Sequence, residues 1–192
     1  MLQKKEGMTR HITLIDPDKQ SPDVAAQRAL IAIESGTSAI FVGGSTDTES
    51  NIVDATCAAI QEALELAMFA SSQHPDADEE MWNIPVILFP GGAHAMSTKA
   101  DGILFMMLMN SKSRQFLIGE QLKGAPYISK AGLQTIPTGY VVCAPGGAVG
   151  EVDLCVAQID ERVDQIVRLL LRGLLLLLVL APQRRALLLA PV

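Results

Sequence analysis

Aromatic side chains are scarce in this sequence, at 4% of 192 residues, and basic residues are outnumbered by acidic ones, 15 to 21. A chain with a net charge of −6 and few stacking rings has neither the electrostatic footprint nor the base-stacking surface of a nucleic-acid binder. Cysteine is also sparse. Cys57, Cys143 and Cys155 form no CxxC pair and their number is odd, which suits reduced thiols in a cytoplasmic protein rather than a disulfide framework. The three histidines, His11, His74 and His94, are too scattered for a zinc site. The opening MLQKKEGMTRHITLID has no apolar stretch of signal-peptide length. What is abundant is hydrophobic residues, at 49%, with a mean hydropathy of +0.29, enough to exclude disorder and to fill one domain core.

Up to about Gly150, short apolar runs alternate with helical patterns. The runs are His11–Ile15, Ser38–Val42, Pro85–Phe89, Gly102–Met106 and Pro137–Cys143. The first stops at Asp16-Pro17, and Gly43-Gly44, Pro90-Gly91-Gly92 and Pro145-Gly146-Gly147 follow the second, third and fifth. Ser21-Pro22 is a helix start that leads into Val24, Ala25, Leu30 and Ile31, and Gly36 is its stop. A second helix is expected over 49–69, with Ile52, Val53, Ala59, Ile60, Ala63 and Leu64 on one face, and a third over 113–122. Strands that are apolar throughout and alternate with helices predict a parallel α/β sheet. Five strands would complete an open doubly wound sheet, or leave a (β/α)8 barrel of about 250 residues unfinished. The stretch between Phe89 and Gly102 is too short for a packing helix and two loops.

Asp16 directly follows the first strand. A carboxylate there faces the usual functional edge of a parallel sheet and suits Mg²⁺, which takes one or two carboxylates and completes its shell with water and phosphate oxygens. The competing reading is ordinary Asp-Pro-Asp turn chemistry. Gly43-Gly44-Ser45-Thr46 occupies the same position after the second strand: its glycines let the backbone approach an anion, and its hydroxyls suit metal or phosphate. A hydroxyl-capped strand-to-helix turn is the alternative there. Adjacent strands would set Asp16 and Ser45 side by side. His94 reads as a loop or cap residue, Cys143 as a buried thiol, and Met106, Met107 and Met109 as core.

HITLIDPDKQ, SGTSAIFVGGST, IPVILFPGG, ADGILFMMLMNS, IGEQLKGAP and IPTGYVVCAPGGAVG occur in that order over residues 8–150. In this the chain resembles the geranylgeranylglyceryl phosphate synthases, archaeal relatives of the bacterial heptaprenylglyceryl phosphate synthases. The resemblance implies a modified TIM barrel without a regular third helix, here incomplete after the fifth strand. It implies Mg²⁺-dependent transfer of a prenyl group from geranylgeranyl diphosphate to sn-glycerol 1-phosphate. The metal falls to Asp16 and Ser45, with Gly43, Gly44, Asn110 and Ser111 on the substrate side and no catalytic residue identified. A cytoplasmic homo-oligomer that touches the membrane surface for its lipid substrate is also implied. Leu14, where the bacterial branch carries lysine, points to the archaeal branch.

Residues 151–192 differ in character, with thirteen leucines and Leu174–Leu178 in one block. The uncharged run Gly173–Pro182 is far short of the roughly 20 residues that span a bilayer. The family's YLEAGSG-like segment and its two later glycine-rich phosphate loops have no counterpart here, so impaired transfer is expected of this chain. An inactive remnant and another phosphate-binding α/β protein are the alternatives. The tail reads as a frame-shifted segment or as a packed helix. A helix is favoured, because leucine and arginine are strong helix formers.

Overall fold

The computed structural model describes residues 10–44, 48–142 and 176–180. They fall into two compact units, Met1–Ile103 with Ala131–Gln134, and Leu104–Lys130 with Thr135–Val192.

The first unit contains β1 (His11–Ile15), α1 (Pro22–Glu34), β2 (Thr37–Val42), α2 (Ser50–Ser72), β3 (Val86–Leu88) and the start of β4 (Gly102–Leu108). β1 pairs with β2, β2 with β3 and β3 with the first residues of β4, all in parallel. Ile15 is level with Val42, and Val42 with Leu88. Three strands therefore end at one height, and the residues that follow them, Asp16, Gly43 and Phe89, emerge together.

Proline and serine start α1 as the sequence predicts. The Ser21 hydroxyl accepts the Val24 N–H at 3.4 Å, and Pro22 occupies a first-turn position where its missing N–H costs nothing. Gly36 ends the helix at φ +89°, a conformation that favours glycine. The inward face of α1 is Ala25, Ala26, Ala29 and Ile33, while Val24 and Ile31 are exposed. α1 packs on α2, and alanines allow a close approach that larger side chains would prevent. α2 buries Val53, Thr56, Cys57, Ile60 and Leu64, and leaves Ile52 outside.

No helix joins β3 to β4, as the short spacing predicts. Polar pins hold that connection instead. The fully buried Ser97 hydroxyl donates to Asp54 Oδ1 of α2 at 2.6 Å. Asp101 Oδ2 accepts the Val86 N–H at 2.7 Å and the Gln61 side-chain amide of α2 at 3.2 Å.

The second unit holds the rest of β4, a π-helical turn (Gln115–Gly119), α3 (Glu120–Ala131), β5 (Gln134–Val142) and β6 (Leu176–Leu180). The π-helical turn leads directly into α3, so the helical stretch starts close to where the sequence predicts and runs to Ala131, past the expected end at Leu122. Met107 and Met109 are exposed rather than core: β4 is buried at Gly102, Ile103, Leu104 and Leu108, Met107 lies on the opposite face from Leu108, and Met109 follows the strand's end. Residues 176–180 correct the expectation of a helical tail. They form a strand paired in parallel with β5, from Thr138↔Leu176 to Val142↔Leu180. The open edge of β5 offers unpaired N–H and C=O groups, and satisfying them outweighs the modest helix preference of leucine. The fold class stands as an incomplete parallel α/β barrel, with a sixth strand among the described residues beyond the five expected. Among the described residues, no helix is long and apolar enough to cross a membrane.

Burial pushes the Cys57 thiol from an ordinary 9.0 to about 12, partly offset by a side-chain hydrogen bond with Ser97. The buried Tyr140 hydroxyl also rises to about 12. Both groups hold their protons more tightly when folded. Their contribution is therefore full below pH 9, near the ordinary thiol value, and lost as pH climbs toward 12. At about pH 8, Cys57 in the folded protein should resist iodoacetamide and react only on unfolding, as peptide mass mapping would report. Rapid labelling of native Cys57 would contradict its burial.

Candidate metal and phosphate site

β1 stops at Asp16 because Pro17 follows it. The residue before a proline is held extended, here at φ −93° and ψ 112°, and Pro17 opens a 3-10 turn over Pro17–Lys19. The Asp16 carboxylate folds back over this turn. Its Oδ1 accepts the Asp18 N–H at 3.2 Å and its Oδ2 meets Lys19 Nζ at 3.1 Å. The Asp16 side chain is 18% exposed and that of Lys19 is 73% exposed. The Asp16 carbonyl accepts the Gln20 side-chain amide at 2.9 Å, and Arg28 of α1 donates to that same Gln20 side chain.

The second strand delivers two glycines against this carboxylate. The Gly43 N–H donates to the Ile15 carbonyl at 3.0 Å, and Gly43 adopts φ +154°. A Cβ on Gly43 would lie 1.8 Å from the Phe89 carbonyl oxygen. A Cβ on Gly44 would lie 2.8 to 2.9 Å from Asp16 Oδ1, Cγ and Oδ2. Glycine is thus required twice, once by a neighbouring backbone and once by the carboxylate. The Phe89 ring stacks on Phe41 of β2 with centroids 6.3 Å apart. On the far side of this turn, the buried Thr48 hydroxyl donates to Asp18 Oδ2 at 2.6 Å.

The structure therefore brings Asp16, Gly43 and Gly44 together. Ser45, the second metal ligand expected from the resemblance, lies outside the described residues, as do Thr46 and Cys143. Asn110 and Ser111 belong to the second unit, just beyond β4. The Asn110 amide donates to the Val142 carbonyl at 2.8 Å and accepts the Val142 N–H at 3.2 Å, continuing the ladder at the end of β5. The Ser111 hydroxyl bonds the Ser113 carbonyl at 3.1 Å and accepts the Ser113 N–H at 2.9 Å. Asp18 and Thr48 were not singled out by sequence, since 30 positions separate them and Asp18 resembles a turn residue.

Among the described residues, no group of three or more His, Cys, Asp or Glu is placed to hold a metal ion. A closed, all-protein cage is not available there. Asp16 fits a different kind of site. A carboxylate has about four lone-pair positions, and the contacts with Asp18 and Lys19 use one on each oxygen. The Lys19 partner is largely in solvent, and such pairs contribute about 0–1 kcal/mol. A hard divalent cation can displace it, taking one carboxylate and filling its shell with water and phosphate oxygens.

The sequence model of the PcrB family matches residues 3–179, past Gly150 where the recognisable motifs stop. The geranylgeranylglyceryl phosphate synthase of Methanothermobacter marburgensis is 42% identical over 142 residues, 74% of this chain and 50% of that protein. The enzyme of the same name from Thermoplasma volcanium is 40% identical over 152 residues, 79% of this chain and 53% of that protein. Among solved structures, wild-type GGGPS from Thermoplasma volcanium aligns with a TM-score of 0.72 at 36% identity, covering 90% of this chain and 64% of that one. The (S)-3-O-geranylgeranylglyceryl phosphate synthase of Thermoplasma acidophilum, solved with its substrate sn-glycerol-1-phosphate, gives 0.73 at 32% identity and covers 91% and 65%. The chain spans about half the length of the curated relatives it matches.

The two glycines predict different failures. Gly43→Ala forces a side chain into backbone at a glycine conformation and should cost about 2 kcal/mol or more in chemical denaturation. Gly44→Ala meets only a carboxylate that can swing aside, so it should fold with near-normal stability while displacing Asp16. Equal stability losses in the two variants would contradict this geometry.

Proposed function

The chain belongs to the PcrB family, and from that premise we propose that it carries the metal- and diphosphate-binding part of a prenyltransferase. The reaction is transfer of a geranylgeranyl group from geranylgeranyl diphosphate to the hydroxyl of sn-glycerol 1-phosphate, as in archaeal ether-lipid synthesis. The observation that carries this reading is the Asp16 carboxylate lying against Gly44 at the aligned ends of β1 and β2, in a chain 42% identical to a geranylgeranylglyceryl phosphate synthase.

Asp16 would hold Mg²⁺, with Ser45 as the hydroxyl ligand implied by the family resemblance. Held by these residues, Mg²⁺ would supply positive charge to offset that building on a departing diphosphate. The chain's own groups do the rest. Gly43 and Gly44 carry no side chain that would keep a phosphate oxygen from the backbone. Lys19, released from Asp16, adds a mobile positive charge beside the leaving group. Asn110 secures the end of β5, and the family resemblance assigns Asn110 and Ser111 to substrate binding. An allylic diphosphate ionises readily once its leaving group is stabilised, and the positioned alcohol captures the resulting carbocation before water does. The same reading makes the protein a cytoplasmic, homo-oligomeric enzyme of the archaeal branch that meets the membrane surface to collect its lipid substrate.

Residues 151–192 contain a single glycine, Gly173, and no YLEAGSG-like segment. The parts that would hold glycerol phosphate and take its proton have no counterpart there. General-base assistance alone is worth roughly 10²–10⁴-fold. With labelled sn-glycerol 1-phosphate and geranylgeranyl diphosphate, the 192-residue chain should therefore form little or no ether product. A chimera joining residues 1–142 to the C-terminal half of a full-length relative should exceed it by about 100-fold or more, and Asp16→Ala should abolish that gain. Robust turnover by the unaltered chain would contradict the impairment. An active Asp16→Ala chimera would contradict the metal assignment.

A further inference from the structure

We propose that the outer face of the helical stretch over residues 115–131 is where the protein docks on a lipid bilayer of negative surface charge. The inference rests on, and deepens, the reading of an enzyme that collects a lipid substrate. The inner face of α3 holds Gly124 and Ile128, both buried, and Gln121, whose side-chain amide donates to the Met106 carbonyl of β4. A helix lying on a domain ordinarily turns charged and polar side chains outward. Here the centre of the opposite face is apolar. Ile118 and Leu122, one turn apart, are 51% and 66% exposed, and the exposed Ala125 and Pro126 continue the same stripe.

Cations frame that stripe. Lys112, Arg114, Lys123 and Lys130, four of the chain's 15 basic residues, fall within residues 112–130, against one of its 21 acidic residues, Glu120. All four are exposed. Lys123 and Lys130 are two turns apart and so lie along one side of the stripe, while Lys112 and Arg114 precede it. Lys123 also meets Glu120 Oε1 at 2.8 Å, a surface pair that is worth little. In a chain with a net charge of −6, this segment is a local reversal of sign. Apolar side chains framed by lysine and arginine are what an interfacial helix presents to phosphate headgroups. A second copy suits the same face poorly, because symmetric pairing would set like charges against each other. Two large apolar side chains and four cations make a reversible, salt-sensitive contact, not an anchor.

The test is co-sedimentation of the full 192-residue chain with vesicles of mixed phosphatidylglycerol and phosphatidylcholine, and with phosphatidylcholine alone, beside circular dichroism of every variant. The chain should bind the anionic vesicles, release them as salt is raised, and bind the neutral ones far more weakly. Lys123→Gln and Lys130→Gln should each weaken binding about fivefold, and Leu122→Ser about tenfold or more. These side chains are exposed, so all three variants should keep the wild-type fold. Asp16→Ala should bind vesicles as the wild type does. Binding that none of the three substitutions weakens, as it would be if the leucine block at 174–178 carried it, would overturn the docking face. So would equal binding to both kinds of vesicle, no binding at all, or self-association in place of vesicle binding that Leu122→Ser abolishes. The prenyltransfer reading is tested apart from this, by the Asp16-dependent turnover of the chimera.

Discussion

The site depends on a close approach that no side chain may interrupt. Where β1, β2 and β3 end at one level, Gly43 passes beneath the Phe89 carbonyl and Gly44 lies against the Asp16 carboxylate. The strand register makes these residues neighbours, and the missing Cβ atoms let them touch. Any L side chain at position 43 would push β3 away from β2, and with it the stacked pair Phe41 and Phe89. Core packing and site geometry are therefore joined at two adjacent glycines.

Function follows from what this approach leaves beside the carboxylate. Asp16 is oriented on one oxygen by a backbone N–H and on the other by a lysine that solvent can take. The arrangement suits a ligand that brings its own oxygens, as a diphosphate does. The helix-free connection between β3 and β4 is consistent with that use. It is held by Ser97 to Asp54 and by Asp101 to both Val86 and Gln61, so it stays ordered without a packing helix to cover that flank.

Much of this was legible in the sequence, for identifiable reasons. Parallel strands are apolar throughout and end in glycine or proline, so β1 to β5 announce themselves within a few residues. Ser21-Pro22 and Gly36 mark α1 because capping and positive φ are local properties. The position of Asp16 after its strand made it a candidate, with ordinary turn chemistry as the competing reading. What escaped the sequence depends on distant partners. The alanine face of α1 was hidden because Val24 and Ile31 look more hydrophobic, while contact with α2 favours small residues. Met107 and Met109 looked like core, but Met107 faces away from the buried Leu108 and Met109 lies just past the end of β4. Leu176–Leu180 read as helix, since the edge of β5 that recruits it is invisible to local propensity. Thr48 and Asp18 meet across 30 positions, and no spacing rule links them.

On the proposed reading, the carboxylate after β1 anchors a cation and phosphate site. Anomalous diffraction from crystals grown with Mn²⁺ and inorganic pyrophosphate addresses it directly. The expected result is a manganese peak at coordination distance, roughly 2.0–2.3 Å, from an Asp16 oxygen, with pyrophosphate completing its shell beside Gly43 and Gly44. A fully occupied manganese elsewhere on the chain, with Asp16 still paired to Lys19, would contradict it.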